Sequence, residues 1–109
     1  MKNKEPLFFL QDIQHSVSKI FKYTDGVDYN DFISNDMIKD AVERNFEIIG
    51  EAVKNLSEDF RNKYPNIPFK QIAGIREKLI HDYFGVDYEI VWKTIIDKLP
   101  QDRKSTRLN

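Results

Sequence analysis

The chain has 109 residues and a mass of 13.0 kDa, the size of one small domain. Its 17 basic and 18 acidic residues leave a formal net charge of −1, which argues against a protein that coats nucleic acid by bulk electrostatics. The absence of cysteine excludes disulfides and thiol-based metal sites. The apolar run in MKNKEPLFFLQD is too short for a signal peptide or a membrane span, so we expect a cytoplasmic protein.

Apolar side chains recur at helical spacing from near the start of the chain. The first helix is predicted around residues 10–21 and ends before Gly26, which supplies a turn. After a polar connection, the longest apolar period predicts a second helix over about 34–56. Residues 57–64 form a short third helix, for which Ser57 is a suitable N-cap.

Two further helices complete the expected fold. The fourth is predicted over about 69–84, where Gly85 can terminate it, and the fifth over about 87–99. The polar residues 101–109 are expected to form a disordered tail. The sequence therefore predicts one all-α domain over residues 1–100, an up-and-down bundle of about five helices.

The fourth helix carries an arginine, a histidine and a tyrosine within eight positions. On a helical wheel, Tyr83 lies about 20° from Arg76, whereas His81 lies about 140° from it. One helix therefore does not bring the arginine and the histidine together. A second copy packed across a two-fold axis would place both residues of both chains around one cleft, which predicts a homodimer.

From spacing alone, an ordinary structural interpretation is favoured for this segment. Tyr83 would be a packing residue, Arg76 would pair with an acidic neighbour, and His81 would be a surface histidine bonded to Glu77, which lies four residues before it. His15, the other histidine, has no comparable neighbours and is expected to face solvent.

The segment REKLIHDY, residues 76–83, fits the R-x-x-x-x-H-x-Y motif of HepT-like toxins in the HEPN superfamily. DAVERNFEIIGEAVKNL at 40–56 and the stretch 64–100 also resemble this family in order and spacing. The resemblance implies a HEPN-like helical homodimer that acts as a metal-independent, cofactor-free ribonuclease toxin. Its implied partner is a minimal nucleotidyltransferase antitoxin that adds AMP to the motif tyrosine.

Carried over residue by residue, the resemblance makes Arg76 and His81 the catalytic pair and Tyr83 the modification target. Histidine can move a proton near neutral pH, and arginine can stabilise charge that develops on a phosphate. The family typically has a small polar residue after the motif arginine. Here that residue is Glu77, whose charge could pair with Arg76 or His81 and hold either of them back from the phosphate.

The second helix carries three carboxylates that are spaced four residues apart and so line one face: Glu43, Glu47 and Glu51. A face that is simply solvated is an equally open interpretation. Like charges at this spacing are mildly unfavourable unless cations neutralise them. Lys54, Arg44 and, across the bundle, Arg76 are candidate counter-charges. In the family, the pair that corresponds to Glu43 and Arg44 lies close to the motif helix, which implies a supporting role for both.

Two functions from different classes remain open at this point. The first is an RNA-cleaving toxin that acts through Arg76 and His81 at a dimer cleft. The second is a non-catalytic helical module that binds a nucleotidyltransferase or presents substrates to it, with the motif kept as a docking and modification site. Intact Arg76, His81 and Tyr83 favour the first, whereas Glu77 and the near-neutral charge favour the second.

Overall fold

The computed structural model describes residues 6–81, 88–97 and 99, with the side chains of 76–81 excepted. Tyr83, Gly85 and the predicted tail at 101–109 lie outside the described residues. Within the described part the chain is all-α and forms six helices. They are α1 (Pro6–Thr24), α2 (Tyr29–Ser34), α3 (Asp36–Lys54), α4 (Glu58–Asn62), α5 (Phe69–His81) and α6 (Tyr88–Asp97). This architecture confirms the predicted helical bundle.

The helix absent from the sequence prediction is α2, which occupies the expected polar connection. Asp28 caps its start, since the carboxylate accepts a hydrogen bond from the backbone N–H of Asp31 at 2.8 Å. Phe32 is its one buried residue. Six residues with a single apolar anchor carry too little periodicity to stand out from a loop.

A single residue, Asn35, separates α2 from α3. Its backbone N–H bonds to the carbonyl of Phe32 at the end of α2, and its side chain accepts a hydrogen bond from the N–H of Ile38 at 3.0 Å. The second predicted helix therefore begins at Asp36, slightly later than the sequence suggested. Because Asn35 caps both helices, their relative direction is set by local hydrogen bonds.

The helix α3 is the centre of the fold, with α1 and α5 packed against it. Its apolar positions follow the helical period, and most of them are buried. The core residues from these three helices are Leu10, Ile13, Val17, Ile20, Val42, Phe46, Ile49, Ala52, Val53, Phe69, Ile72 and Ile75.

The connection from α3 to α5 follows the sequence signals closely. Ser57 accepts a hydrogen bond from the N–H of Phe60 at 3.0 Å and so caps α4, as predicted. Buried Ile67 and Phe69 then lead the chain into α5, which begins at the predicted residue. Gly26, between α1 and α2, has a φ of +71°, so the predicted turn requires the left-handed conformation that glycine adopts easily.

We expect Phe46→Ala to lower the free energy of unfolding by about 3–5 kcal/mol, because it empties a fully buried site at the centre of α3. Met37, an apolar residue in the first turn of the same helix, is 82% exposed. Met37→Ala is therefore the matched control, with an expected change within about 0.5 kcal/mol. Chemical denaturation of both variants measures the difference, and equal losses would contradict this assignment of the core.

Candidate functional site

Arg76, Glu77 and His81 all lie on α5, within the described helical backbone. Their side chains are outside the described part, and Tyr83 lies beyond it. The preceding turn of α5 is firmly packed, since Ile72 and Ile75 are buried in the core. The motif therefore follows directly on a stretch of helix whose position is fixed by the core.

Glu43, predicted to support the motif, is half-buried on α3 and accepts a hydrogen bond from the hydroxyl of Tyr88. Tyr88 is the first residue of α6, the helix that follows the motif segment in the chain. By sequence, Arg44 and Arg76 are candidate counter-charges for the carboxylates of α3. Among the described side chains, the partner of Glu43 is a neutral phenol on another helix, and the Arg76 side chain lies outside that set.

Tyr88 contacts side chains of two other helices, α2 and α3. Its ring packs edge-on against Phe32 of α2, with the ring centres 6.0 Å apart. On α3, Lys39 Nζ lies 4.7 Å from the centre of the Tyr88 ring and 3.4 Å from Asp36 Oδ1. Tyr88 therefore fastens the start of α6 to both α2 and α3.

The same surroundings raise the pKa of Tyr88 well above its usual value of about 10. Burial is the largest cause, followed by the hydrogen bond to Glu43 and by the negative charges of Glu43, Asp40 and Asp36, all of which disfavour a phenolate. Tyr88 consequently stays protonated and keeps donating to Glu43 throughout the neutral range.

Aromatic packing extends the contact between α2 and α6. Trp92, one turn after Tyr88, lies 5.0 Å from Phe32 between ring centres and 6.2 Å from Tyr29. Sequence reasoning missed this cluster because α2 was assigned to a loop. It also missed the Tyr88–Glu43 bond, because the two residues are 45 positions apart and no local spacing relates them.

The carboxylates of α3 lie in two different environments, although the sequence predicted that they would share one acidic face. Glu43 points to Tyr88, whereas Glu47 and Glu51 line an open groove between α1 and α3 with a volume of about 410 Å³. Residues four apart on a helix drift by about 40° per step, which is enough to separate the ends of the series. The groove is lined by Phe9, Asp12, Arg44, Glu47, Ile48, Glu51, Ala52 and Asn55.

Arg44 is exposed on the wall of this groove and makes no ion pair with the described residues. Lys54, as predicted, lies near Glu51, with 3.9 Å between Nζ and Oε1. Both side chains of that pair are more than half exposed, so the contact contributes little to stability. Arg44 is thus an exposed cation in the same groove as Glu47 and Glu51.

A buried polar residue, Asn45, lies next to Arg44. It is 5% exposed, and its side-chain amide donates to the carbonyl of Ala41 at 2.8 Å. Its side-chain oxygen has no hydrogen-bond partner among the described residues. An asparagine between the apolar positions Val42 and Phe46 is the sequence signal that could have identified it.

His15 is exposed on α1, as the sequence predicted. The described residues include no group of three or more histidine, aspartate or glutamate side chains arranged to hold a metal ion. In the same part of the chain, no helix is long and apolar enough to cross a membrane.

Comparison with known proteins places these features in a family context. Residues 13–107 match the profile of the family described as ribonuclease HepT-like. A candidate RNase of Methanocaldococcus jannaschii is 43% identical over 108 residues, covering 99% of both chains. A candidate RNase of Caldanaerobacter subterraneus is 41% identical, over 95% of this chain and 93% of its own.

A third relative, named as a probable ribonuclease HepT, comes from Thermococcus cleftensis. It is 41% identical over 92 residues, which is 84% of each chain. No solved structure matches the sequence significantly. The matched region includes all of α5 and the whole motif segment 76–83.

We expect Tyr88→Phe to lower the free energy of unfolding at neutral pH by about 1.5–3 kcal/mol, the range for a hydrogen bond to a charged group. Because the pKa of Tyr88 is raised by folding, the native state holds this proton where the unfolded chain releases it. The wild type should therefore lose stability relative to the variant as the pH rises above about 10. Urea unfolding at pH 7 and pH 10.5 tests this, and a gap that stays constant would contradict it.

Proposed function

Because the chain belongs to the ribonuclease HepT-like family, we propose that it is a metal-independent endoribonuclease in which Arg76 and His81 act on RNA. The observation that carries the proposal is the match over residues 13–107, which includes the complete R-x-x-x-x-H-x-Y segment. Relatives with ribonuclease names align over most of their length, which supports the same activity class. We place the protein in the cytoplasm.

Cleavage of RNA needs few protein groups besides the side chains of Arg76 and His81. RNA carries its own nucleophile, the 2′-hydroxyl, which attacks the adjacent phosphorus while the bond to the 5′-oxygen breaks. His81 would exchange a proton with the attacking or the leaving oxygen, since imidazole titrates near neutral pH. Arg76 would stabilise the additional negative charge on the phosphate oxygens.

The fold supports this assignment because the motif directly follows a well-packed part of α5. Buried Ile72 and Ile75 fix the first half of α5 against α3, and the catalytic residues follow within the next two turns. Catalytic groups held on a packed helix keep their geometry better than groups on a loop. The proposal therefore requires no rearrangement of the described core.

Surface charge restricts where RNA can bind. The segment from the end of α1 to the second turn of α3 exposes a set of aspartates: Asp25, Asp28, Asp31, Asp36 and Asp40. This surface repels a phosphate backbone, so RNA must approach the motif helix from another side. A local contact of this kind agrees with the near-neutral charge of the chain.

We further propose that the active form is a two-fold homodimer with α5 near the axis. Arg76 and His81 diverge by about 140° around one helix, so a composite cleft needs a copy of each from both chains. A chain of 109 residues can also bury only a small apolar core, and an interface would cover apolar surface that the monomer leaves exposed.

The proposed biological role is that of a toxin whose antitoxin is a minimal nucleotidyltransferase. The Tyr83 hydroxyl would attack the α-phosphorus of ATP, form a phosphodiester bond to AMP and release pyrophosphate. The attached phosphate would compete with RNA for Arg76, and the nucleoside would obstruct the cleft. One modification would then silence the site.

We expect His81→Ala to lower the rate of RNA cleavage by about 10²-fold to 10⁴-fold, the usual contribution of one acid–base group. Arg76→Ala should lower it by about 10²-fold to 10³-fold, the usual contribution of one group that stabilises transition-state charge. Activity should persist in the presence of a chelator, and the products should carry a 2′,3′-cyclic phosphate and a 5′-hydroxyl. Purified protein and labelled RNA provide the measurement.

The matched control is His15→Ala, which removes the other, exposed histidine and should cleave at the wild-type rate. Cleavage that stops with chelator, or that survives both motif substitutions, would contradict the mechanism. A folded wild type that binds a nucleotidyltransferase but cuts no RNA would favour the alternative role as a non-catalytic partner module.

We expect co-expression with the cognate nucleotidyltransferase to add one or more AMP units to Tyr83 and to abolish cleavage. Intact-protein and peptide mass spectrometry locate the modification. Tyr83→Phe should remain unmodified, whereas Tyr23→Phe, which changes a half-buried tyrosine of α1, should be modified like the wild type. If the partner neutralises the chain while Tyr83 stays unmodified, inhibition is by binding alone.

A further inference from the structure

We propose that α4, the connection after it and the outer face of early α5 form a subsite for single-stranded RNA next to the motif. We call this surface the α4–α5 surface, and its residues are Arg61, Lys63, Tyr64, Lys70 and Gly74. The inference rests on the proposed ribonuclease activity. It adds the place where the RNA strand continues beyond the phosphate that is cleaved.

The charge of this part of the chain is entirely positive. Residues 60–76 contain four basic residues and no acidic one, in a chain whose basic and acidic residues are almost equal in number. Lys63 and Lys70 are exposed, and neither they nor Arg61 form an ion pair with the described residues. Basic side chains in such a run are suited to neutralise successive phosphates of one strand.

Arg61 provides a second indication of an anionic ligand. Its side chain is half-buried, and its Nε atom is enclosed by protein without a hydrogen-bond partner in the described part of the chain. Packing therefore restricts the guanidinium group before any ligand arrives. A phosphate bound at its terminal nitrogens would supply a negatively charged acceptor for this cation.

The aromatic pair Phe60 and Tyr64 lies among these cations. The ring centres are 5.4 Å apart with 47° between the planes, and both residues are half-buried against the core. Lys63 Nζ lies 5.8 Å from the centre of the Phe60 ring. Aromatic rings beside basic side chains allow a protein to stack the bases of a single strand while it holds the backbone. The bases of a duplex stay stacked on each other, so this arrangement favours unpaired RNA.

Gly74, in the middle of α5, is not explained by the fold of the chain itself. Glycine destabilises the interior of a helix relative to alanine. The φ angle of Gly74 is not positive, and a Cβ atom added there would meet nothing within 4 Å outside the local helix backbone. Neither backbone conformation nor internal packing therefore requires a glycine. A residue without a side chain does, however, let another molecule approach the helix backbone closely.

The helical positions of Lys70, Gly74 and His81 place these residues on one path. They fall within about 40° of one another around α5, on the side opposite the buried Ile72. Along the helix axis, Lys70 precedes Arg76 by about 9 Å and His81 by about 16 Å. A few nucleotides of an extended strand cover these distances, so a strand bound at Lys70 can reach the motif.

The location of the α4–α5 surface agrees with the charge elsewhere on the molecule. Helix α2 precedes α3 and α4 follows it, so the exposed aspartates around α2 and the α4–α5 surface lie at opposite ends of a 19-residue helix, about 28 Å long. A strand that is repelled by the acidic end is attracted to the basic one. Charge, aromatic packing and the unexplained glycine therefore indicate the same surface.

The charged part of the surface is tested with a fluorescein-labelled 2′-O-methyl oligouridylate, which cannot be cleaved because its 2′-oxygen is blocked. Fluorescence anisotropy at several salt concentrations gives the affinity and its salt dependence. Lys63→Gln and Lys70→Gln should each lower the slope of log affinity against log salt by about 0.7, the contribution of one phosphate contact to a single strand. Lys22→Gln, which removes an exposed lysine near Asp25 at the acidic end, is the matched control and should keep the wild-type slope.

The aromatic part is tested by Tyr64→Leu, which keeps an apolar side chain against the core. Affinity for the oligouridylate should fall by about 5-fold to 100-fold because a base loses its stacking partner. The salt slope should stay unchanged because no phosphate contact is lost. The same oligonucleotide paired with oligoadenylate should bind more weakly, and Tyr64→Leu should not alter its affinity. An unchanged urea midpoint shows that the variant is folded.

Gly74→Ala gives a test in which stability and binding change in opposite directions. The thermal midpoint of unfolding should rise by about 3–6 °C because alanine favours the helix. Affinity for the oligouridylate should fall because the methyl group keeps the strand away from the helix backbone. Gln71→Ala, at an exposed position of the same helix, is the control and should keep the wild-type affinity. Weaker self-association at unchanged RNA affinity would assign Gly74 to a subunit contact and contradict its place in this subsite.

Wild-type affinity and salt slope in the lysine and Tyr64 variants would overturn the inference. So would variants that bind the oligouridylate normally but no longer bind the nucleotidyltransferase, since the surface would then serve a protein partner. Cleavage of unmodified oligouridylate is measured separately. A chain that cleaves RNA while these variants bind it like the wild type refutes the subsite and leaves the ribonuclease proposal standing. A chain that binds RNA through this surface and cleaves none supports the subsite and refutes the ribonuclease proposal.

Discussion

The burial of the apolar face of α3 is the constraint on which the rest of the molecule depends. Helices α1 and α5 do not have a core of their own, and each buries its apolar stripe against α3. Phe46 and Ile49, near the middle of α3, are completely buried. Since α5 carries the motif, the orientation of Arg76 and His81 follows from how α5 sits on α3. A defect in the α3 core would therefore displace the motif without touching it.

The polar residues of α3 make different contacts around that core. Glu43 fastens the start of α6 through Tyr88, and Arg44, Glu47 and Glu51 face the groove shared with α1. Asn45, between these two sets, is buried and only partly satisfied by hydrogen bonds to the described residues. The helix α3 thus buries apolar side chains on one side and makes two separate sets of polar contacts beside them. This distribution explains why its carboxylates are closely spaced without forming one solvated face.

Sequence periodicity predicted the longer helices because each buries a continuous stripe, and the local caps at Gly26 and Ser57 fixed their boundaries. It missed α2, whose six residues contain only one buried side chain. It recognised Glu43 as a residue with a special role but could not find its partner, because a contact between residues 45 positions apart is decided by tertiary packing. The motif was recognisable by its resemblance to a family, whereas wheel angles alone favour an ordinary surface helix.

The aspartates around α2 change the meaning of the small net charge. Residues 25–40 contain five aspartates and one lysine, a charge of −4, so the rest of a chain with net charge −1 carries +3. The α2 end therefore carries a concentrated negative charge on a chain that is almost neutral. A polyanion repels this end before contact, which turns it away from the strand. Orientation during diffusion, and not overall attraction, is what this uneven distribution of charge provides.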